Sequence, residues 1–327
     1  MPIREQVQVG AYRWGWAAVR KLPAPVAYRL FDRIADGMFR RGGKGVERMR
    51  SNYARVRPEL DPEELEALVH AGLRSYLRYW CDSFRLPDRS ATELAATVRV
   101  VGDGPPRAAL DSGQGVVAFL GHLGNWDTVG AWATHHLARV TTVAERLKPE
   151  EVFDQFVAYR EALGMTILPL TGDTPPFPTL VRTVHAGGLV PLLADRDLTA
   201  SGIEVTLCGH AARMAGGPAA LALATGAPLH PVTVTYEPLP EAEAPAESRT
   251  LADRARGALP RRRRPDPSAY RVVLTFGPAV PVPTGGTRAE QITELTQACA
   301  DYLGETLREH TEDWHMMQRV FVADGIR

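Results

Sequence analysis

The feature of this chain that most constrains its fold is an alternation of strand and helix patterns between residues 115 and 236. The first strand of the series, Val116–Leu120, is apolar at every position, which is typical of a strand buried on both faces of a parallel sheet. Helix patterns near 126–137, 149–163, 178–185 and 218–225 alternate with strand patterns near 140–143, 166–170, 188–194 and 229–235. This alternation predicts an α/β fold with a mostly parallel central sheet flanked by helices.

The rest of the chain extends this core in both directions. Helices are predicted over 61–84 and 293–309, and strands near 97–101 and 271–276. The 327 residues, 45% of them hydrophobic and 23% charged, are ample material for a core. We predict a single domain over 1–327: an N-terminal helical part (1–95), an α/β core (96–236 and 270–327), and a flexible insertion (237–269) that carries four consecutive arginines at 261–264.

The N-terminal region predicts amphipathic helices. Residues 7–40 interleave aromatic and aliphatic side chains with arginine and lysine at helical periodicity. One interpretation is a helix pair on anionic lipid, where each basic residue near the surface contributes on the order of 1 kcal/mol. The other is a helix packed on the domain with a solvated charged face. The arginines at 261–264 have the same two interpretations: they contact phospholipid head groups, or they are only exposed to solvent.

Targeting and charge patterns narrow the expected location and partners. No run approaches the ~18 apolar residues of a spanning helix, and the N-terminus has no signal-peptide pattern. We therefore expect peripheral attachment to the cytoplasmic face of the cell membrane. Lys plus Arg and Asp plus Glu both number 38, so nucleic acid is not an expected partner. The three cysteines lack the spacing of a zinc site or a disulfide framework, and no metal is expected.

One short segment carries candidate chemistry. His122 follows the apolar strand directly, and Asp127 lies at the start of the next helix. Gly121 and Gly124 could bend the chain so that the two side chains meet. A neutral imidazole can take the proton of a hydroxyl while a carboxylate fixes its tautomer. The backbone N–H groups around Gly124 and Asn125 could then stabilise an oxyanion near the helix N-terminus.

The spacing of His122 and Asp127 alone also fits a histidine that has only a structural role. Several further segments of the chain favour the catalytic interpretation. The segments are 121–127 (Gly-His-Leu-Gly-Asn-Trp-Asp), 192–197 (Leu-Leu-Ala-Asp-Arg-Asp), 202–205 (Gly-Ile-Glu-Val), 213–219 (Arg-Met-Ala-Gly-Gly-Pro-Ala) and 312–318 (Glu-Asp-Trp-His-Met-Met-Gln). Together they resemble the bacterial lipid A and phosphatidylinositol mannoside acyltransferases of the lysophospholipid acyltransferase group, and the actinobacterial mannoside enzymes most of all.

The resemblance implies an activity and a set of site residues. It implies direct transfer of a long-chain acyl group from acyl-CoA, a co-substrate rather than a cofactor, to a mannose hydroxyl of phosphatidylinositol mannoside. His122 and Asp127 match the catalytic His-x4-Asp motif. Glu145 and Arg160 match the Glu and Arg that line the cleft in this family. The family also has a further acidic residue that supports the histidine, and Asp195, Asp197 and Glu204 are the candidates for it. Where the family often has Phe-Phe-Gly, residues 207–209 are Leu-Cys-Gly, which bears on the acyl-chain contacts.

Several alternatives stay open at this level. Arg160, Arg196 and Arg213 could bind the phosphates of the substrates or pair with nearby acids. The acceptor could be a lipid A precursor or a lysophospholipid. A thioester hydrolase and a non-enzymatic lipid-binding protein are the alternatives outside the transferases. The residues at 314–316 (Trp-His-Met) are interpreted as packing of the tail on the core. The expected partners are acyl-CoA, a glycolipid or phospholipid acceptor and the inner leaflet of the membrane.

Overall fold

The computed structural model describes residues 18–146, 150–172, 175–197, 199, 201–239 and 268–325. The part of the predicted N-terminal helices before residue 18 lies outside the described residues. So do most of the predicted insertion, with its arginines at 261–264, and Pro149 at the predicted start of one helix.

The strands form one main sheet and two small ones. The nine strands within the described residues are β1 Val98–Val101, β2 Val116–Leu120, β3 Thr141–Ala144, β4 Thr166–Pro169, β5 Leu189–Leu193, β6 Ile203–Leu207, β7 His210–Met214, β8 Leu229–Pro238 and β9 Tyr270–Phe276. The main sheet has the order β1-β9-β8-β2-β5, and only its β8–β9 pair is antiparallel. The predicted α/β fold with a mostly parallel central sheet is confirmed.

Helices cover both faces of this sheet. In chain order they are α1 Ala24–Arg41, α2 Lys44–Val56, α3 Pro62–Arg85, α4 Ala91–Thr97, α5 Gly104–Asp111, α6 Trp126–His136, α7 Glu150–Ala162, α8 Phe177–His185, α9 Gly217–Thr225 and α10 Arg288–Glu309. No helix within the described ranges is both long and apolar enough to cross a membrane.

The uniformly apolar β2 lies where its sequence predicts, between two hydrophobic clusters. Val117 and Phe119 pack into the cluster that includes residues of α1, α2, α3 and α10. Val116, Ala118 and Leu120 point to the other face and pack with residues of α4, α6 and α7. Because side chains alternate across a strand, a strand covered on both faces has no polar position, and the absence of alternation in β2 follows from that.

The longest N-terminal helix, α3, begins where its sequence predicts. Asp61 and Glu64 form a capping box, each side chain accepting the other residue's backbone N–H, and Pro62 occupies the first helical position. The helix continues to Arg85 and presents residues to both cavities described below. Near its C-terminal end, Asp82 lies 3.4 Å from the Asn125 side chain in the loop after β2, and Tyr79 donates to Asp127 at the start of α6.

Two boundaries differ from the predictions, and several elements were not predicted. α10 begins at Arg288 rather than near 293, because Thr287 and Glu290 form a capping box that the prediction overlooked. β8 runs to Pro238, and Glu237 accepts a hydrogen bond from Arg271 on β9, so the insertion begins later than residue 237. The short helices α4 and α5 and the β6–β7 hairpin were not predicted, because each is too short to show a clear period.

Candidate active site

A cleft of about 300 Å³ lies beside the loop that connects β2 to α6. Its walls are rich in aromatic side chains, namely Tyr76, Tyr79, Trp80, Trp126, Phe153 and Phe156. Six polar residues among those described also line it, namely His122, Glu145, Arg160, Arg196, His315 and Gln318. The cleft therefore combines an apolar lining suited to an alkyl chain with a few groups that could act chemically.

His122 and Asp195 meet at the carboxyl edge of the sheet. Each residue stands two positions beyond the end of its strand, His122 after β2 and Asp195 after β5. These strands are parallel neighbours in which Leu120 pairs with Leu193, so the two loops emerge side by side. The His122 Nδ1 and Asp195 Oδ1 atoms lie 2.6 Å apart. This is the edge at which ligands bind in open α/β sheets.

The protonation of this pair follows from its contacts. An ionised carboxylate can only accept hydrogen bonds, so Nδ1 of a neutral His122 carries the proton and Nε2 keeps its lone pair. The Asp195 Oδ2 atom accepts two further bonds of 2.9 Å, from the His122 backbone N–H and from Trp314 Nε1. Burial of Asp195 opposes its ionisation, but His122 and these hydrogen bonds outweigh that effect and hold its pKa below the usual value.

Asp127 does not contact His122, so the predicted pairing is wrong. Its Oδ2 atom accepts a hydrogen bond of 2.8 Å from the Tyr79 hydroxyl, and its Oδ1 atom lies 2.7 Å from Arg160 Nε. Asp127 lies in the first turn of α6, where its side chain is directed toward α3 and α7 instead of the preceding loop. Its structural effect is to hold Arg160 at the cleft wall.

Glu145, Arg160 and Arg196 line the cleft as predicted. The Glu145 side chain is largely exposed and lies 3.4 Å from Arg196, whereas the guanidinium groups of Arg160 and Arg196 are mostly buried. Burial alone would lower the pKa of Arg160, but the adjacent Asp127 raises it above the ordinary value. Arg160 therefore stays cationic in a largely apolar cleft.

Glu204 and Arg213 are not part of the cleft lining. They face each other across the β6–β7 hairpin, where Glu204 is exposed and Arg213 is partly buried. Asp197, the third candidate support for the histidine, accepts the backbone N–H of Thr199 at 2.8 Å. Of the three candidate acids, the structure brings only Asp195 to His122.

The residues predicted to supply oxyanion donors, Gly124 and Asn125, lie outside the cleft lining. The Gly124 N–H donates to the Asp313 carbonyl at 2.9 Å, and Gly124 has a positive φ of 52°. Asn125 is fully buried, and its Oδ1 atom caps α6 by accepting the Thr128 N–H at 2.9 Å. Neither residue lines the cleft, so a substrate role for Gly124 or Asn125 is not supported.

A polar network behind His122 was not predicted from the sequence. The Ser75 hydroxyl donates to Asp313 Oδ1 at 2.6 Å and lies 3.0 Å from His315 Nε2. Since that hydroxyl has one proton, His315 donates through Nε2 to Ser75, and its Nδ1 is unprotonated. Nδ1 is buried without a hydrogen-bond partner among the described residues. His315 lines the cleft, and its backbone N–H donates to the His122 carbonyl.

Burial perturbs both ionisable members of this network. It lowers the pKa of His315 to about 3, with a smaller contribution from the charge of His122. It raises the pKa of Asp313 to about 6, although hydrogen bonds from Ser75 and the Tyr236 backbone oppose the shift. The tail residues 314–316 do pack on the core, as interpreted from the sequence. Trp314 and His315 also contact the candidate site. The one sequence signal for this contact is that both residues belong to the 312–318 segment, which is part of the family resemblance.

Comparison with known proteins shows the family of the chain. The model of the bacterial lipid A biosynthesis acyltransferase family matches residues 5–242. A phosphatidylinositol mannoside acyltransferase of Mycolicibacterium smegmatis is 36% identical over 325 residues, which cover 99% of this chain and 94% of that protein. A protein of the same name from Mycobacterium tuberculosis strain CDC 1551 is 38% identical, over 96% of this chain and 88% of that protein. The chain belongs to the bacterial lipid A biosynthesis acyltransferase family, and it is an enzyme that transfers acyl groups.

Proposed function

We propose that this enzyme transfers a long-chain acyl group from acyl-CoA to a mannose hydroxyl of a phosphatidylinositol mannoside. The observation that carries the proposal is the His122–Asp195 pair at the wall of an aromatic cleft. The names of the two mycobacterial relatives, each similar over nearly the whole chain, support this acceptor over a lipid A precursor or a lysophospholipid.

The proposed reaction is a direct transfer in a ternary complex. His122 Nε2 takes the proton of the acceptor hydroxyl as its oxygen attacks the thioester carbonyl carbon. The carbon–sulfur bond then breaks, and the proton on Nε2 passes to the CoA thiolate. Asp195 stabilises the imidazolium that exists between these two proton transfers, because its carboxylate lies against Nδ1.

The cleft has groups suited to both substrates. Each methylene of an acyl chain buried against the aromatic walls contributes about 0.8 kcal/mol. Arg160 and Arg196 present guanidinium groups to the cleft, where they suit the phosphates of CoA or the phosphodiester of the acceptor.

The proposal includes peripheral attachment to the cytoplasmic face of the membrane. Val26, Leu30 and Ile34 recur every fourth residue on α1, and their exposed fractions are 47%, 40% and 43%. Arg29 and Arg33 are exposed on the same helix. An exposed apolar ridge beside arginines is the pattern of a helix that lies in the interface of an anionic bilayer.

The test is the release of free CoA from palmitoyl-CoA by the purified enzyme with phosphatidylinositol mannoside, with lysophospholipid, or with no acceptor. The wild type is compared with His122→Ala, and with His135→Ala as a matched control, because His135 is exposed on α6 and does not line the cleft. We expect release to need the mannoside, to fall by about 10²–10⁴-fold in His122→Ala, and to persist in His135→Ala.

Other results would redirect the assignment. Equal release without acceptor would indicate a thioester hydrolase. Preference for lysophospholipid would move the acceptor to that class. Absence of release in the wild type with every acceptor would favour a lipid-binding role.

A further inference from the structure

A second cavity, of about 310 Å³, lies on the other side of α3 from the catalytic cleft. Tyr76, Tyr79 and Trp80 of α3 line the cleft, whereas Arg78, Asp82 and Arg85 line the second cavity. None of the described residues lines both. Residues 78, 82 and 85 recur at the spacing of one helix face, so the sequence of α3 gives the second cavity a charged wall.

Arg78 extends into this cavity and has no carboxylate partner among the described residues. Its guanidinium carbon lies 3.6 Å from the centre of the Tyr270 ring and 5.2 Å from that of Tyr236. Its Nε atom is buried and has no hydrogen-bond partner within the described ranges. Stacking on tyrosine faces holds a guanidinium in place but leaves its N–H groups at the edge without acceptors.

Arg89 is a second cation with little compensation. Among the described residues, the carboxylate oxygen within 4 Å of Arg89 is Asp82 Oδ1, at 3.9 Å, which is beyond hydrogen-bond distance. Asp82 also accepts hydrogen bonds from the hydroxyls of Tyr28 and Tyr236. Asp82 is thus already engaged by neutral donors, and Glu93, the other carboxylate that interacts electrostatically with Arg89, accepts from Ser90.

The remaining charges of the cavity are paired or bonded. Arg20 and Asp88 form an ion pair, and both side chains are substantially exposed, so the cavity opens to the surface at that point. Arg85 donates to the carbonyls of Val19 and Leu22. Glu93 accepts the backbone N–H of Ser90 at the start of α4. Within the part of the lining that the structure describes there are four arginines and three carboxylates, and the uncompensated donors there belong to Arg78 and Arg89.

We propose that this cavity binds a phosphate group through Arg78 and Arg89, separately from the catalytic cleft. The two arginines come from different segments, the body of α3 and the loop after it. A tetrahedral phosphate presents oxygens in several directions and can accept from both, whereas the two oxygens of a carboxylate lie in one plane. The phosphate can come from a soluble phosphomonoester or from the phosphodiester of a lipid head group. This proposal is independent of acyl transfer at His122.

Calorimetric titration at constant ionic strength, with chloride as the balancing anion, tests the site. The probes are inorganic phosphate for the monoester source and glycerophosphoinositol for the diester source. We expect the wild type to bind at least one of them, and the preferred probe identifies the source. Arg78→Gln and Arg89→Gln should each weaken that binding at least tenfold. Arg182→Gln removes an exposed arginine that lines neither cavity and should leave it unchanged, and Arg196→Gln reports any binding of the probe in the cleft.

Further variants and outcomes separate binding from folding. Arg78→Lys keeps the positive charge and should recover part of the affinity, and circular dichroism shows whether each variant is folded. Binding that is lost in Arg196→Gln but kept in Arg78→Gln would overturn the proposal, because the phosphate would then occupy the cleft. Absence of binding of both probes to the wild type would overturn it as well. Neither result depends on turnover, so the site can fail while acyl transfer stands.

Discussion

At the residue scale, Asp195 and Asp127 are both almost fully buried, yet they have different partners. Asp195 accepts three hydrogen bonds, two from His122 and one from Trp314. Asp127 accepts from Tyr79 and pairs with Arg160. The first arrangement sets the tautomer of the His122 imidazole, and the second compensates a buried cation.

These partners predict different consequences for the two substitutions. Asp195→Asn should lower kcat by about 10²-fold or more with a smaller change in KM, because the amide cannot stabilise the imidazolium. Asp127→Asn leaves Arg160 uncompensated, and we expect it to lower the free energy of unfolding by about 3–5 kcal/mol. Steady-state kinetics and urea unfolding check the pair. A larger loss of kcat in a folded Asp127→Asn than in Asp195→Asn would contradict the assignment.

Asp313 and His315 predict opposite effects of pH on stability. The pKa of His315 is about 3 in the folded protein and near its ordinary value in the unfolded chain, so the unfolded state binds more protons as pH falls below about 6.5, and stability decreases. The pKa of Asp313 is raised to about 6, so the folded state binds the proton first, and stability increases as pH falls from about 6 to 4.

Single substitutions separate the two contributions. On acidification from pH 7 to pH 5, Asp313→Asn should lose more unfolding free energy than the wild type, because it lacks the compensating carboxyl. His315→Gln should lose less. Each group changes the slope by up to about 1.4 kcal/mol per pH unit. Urea titrations at pH 7, 6 and 5 measure these slopes, and identical slopes in all three proteins would show that neither group is perturbed.

At the scale of elements, the loop between β2 and α6 is fixed by one glycine. Gly124 has φ +52°, and a Cβ atom there would lie 2.5 Å from the Val234 carbonyl oxygen on β8. The loop thus packs against the sheet backbone more closely than a side chain would permit, and this contact positions both His122 and the start of α6.

Gly124→Ala should therefore destabilise the protein by more than the ~1–2 kcal/mol cost of a left-handed alanine. Gly209→Ala is the matched control, because Gly209 also has a positive φ, of 86°, but no atom within 4 Å of an added Cβ. Thermal and urea unfolding of the two variants give the comparison. Equal destabilisation would mean that the backbone conformation, and not the contact with β8, accounts for the glycine.

At the scale of the whole molecule, the apolar ridge of α1 predicts how the enzyme meets lipid. Leu30→Asp should reduce co-sedimentation with anionic vesicles, and Arg29→Gln combined with Arg33→Gln should reduce it mainly at low salt. Val282→Asp is the control, since Val282 is 54% exposed but lies far along the chain from α1. Binding that is insensitive to salt, and equal in all variants, would contradict a role for this helix.

The sequence by itself determined the α/β class, because a uniformly apolar β2 and the alternation after it have few other solutions. It also determined the start of α3, through a local cap. A contiguous motif was enough to select His122 as a candidate site residue. Short elements such as α4 escaped prediction because their few residues show no clear period.

Only the tertiary structure decided which acid supports His122. Asp127 is close in sequence, but the turn into α6 directs it toward Arg160. Asp195 is 73 residues away, yet the parallel pairing of β2 with β5 brings its loop beside that of His122. The same holds for Ser75, Asp313 and His315, which come from distant segments. Local patterns record the neighbours of a residue along the chain, whereas sheet order determines which loops share an edge.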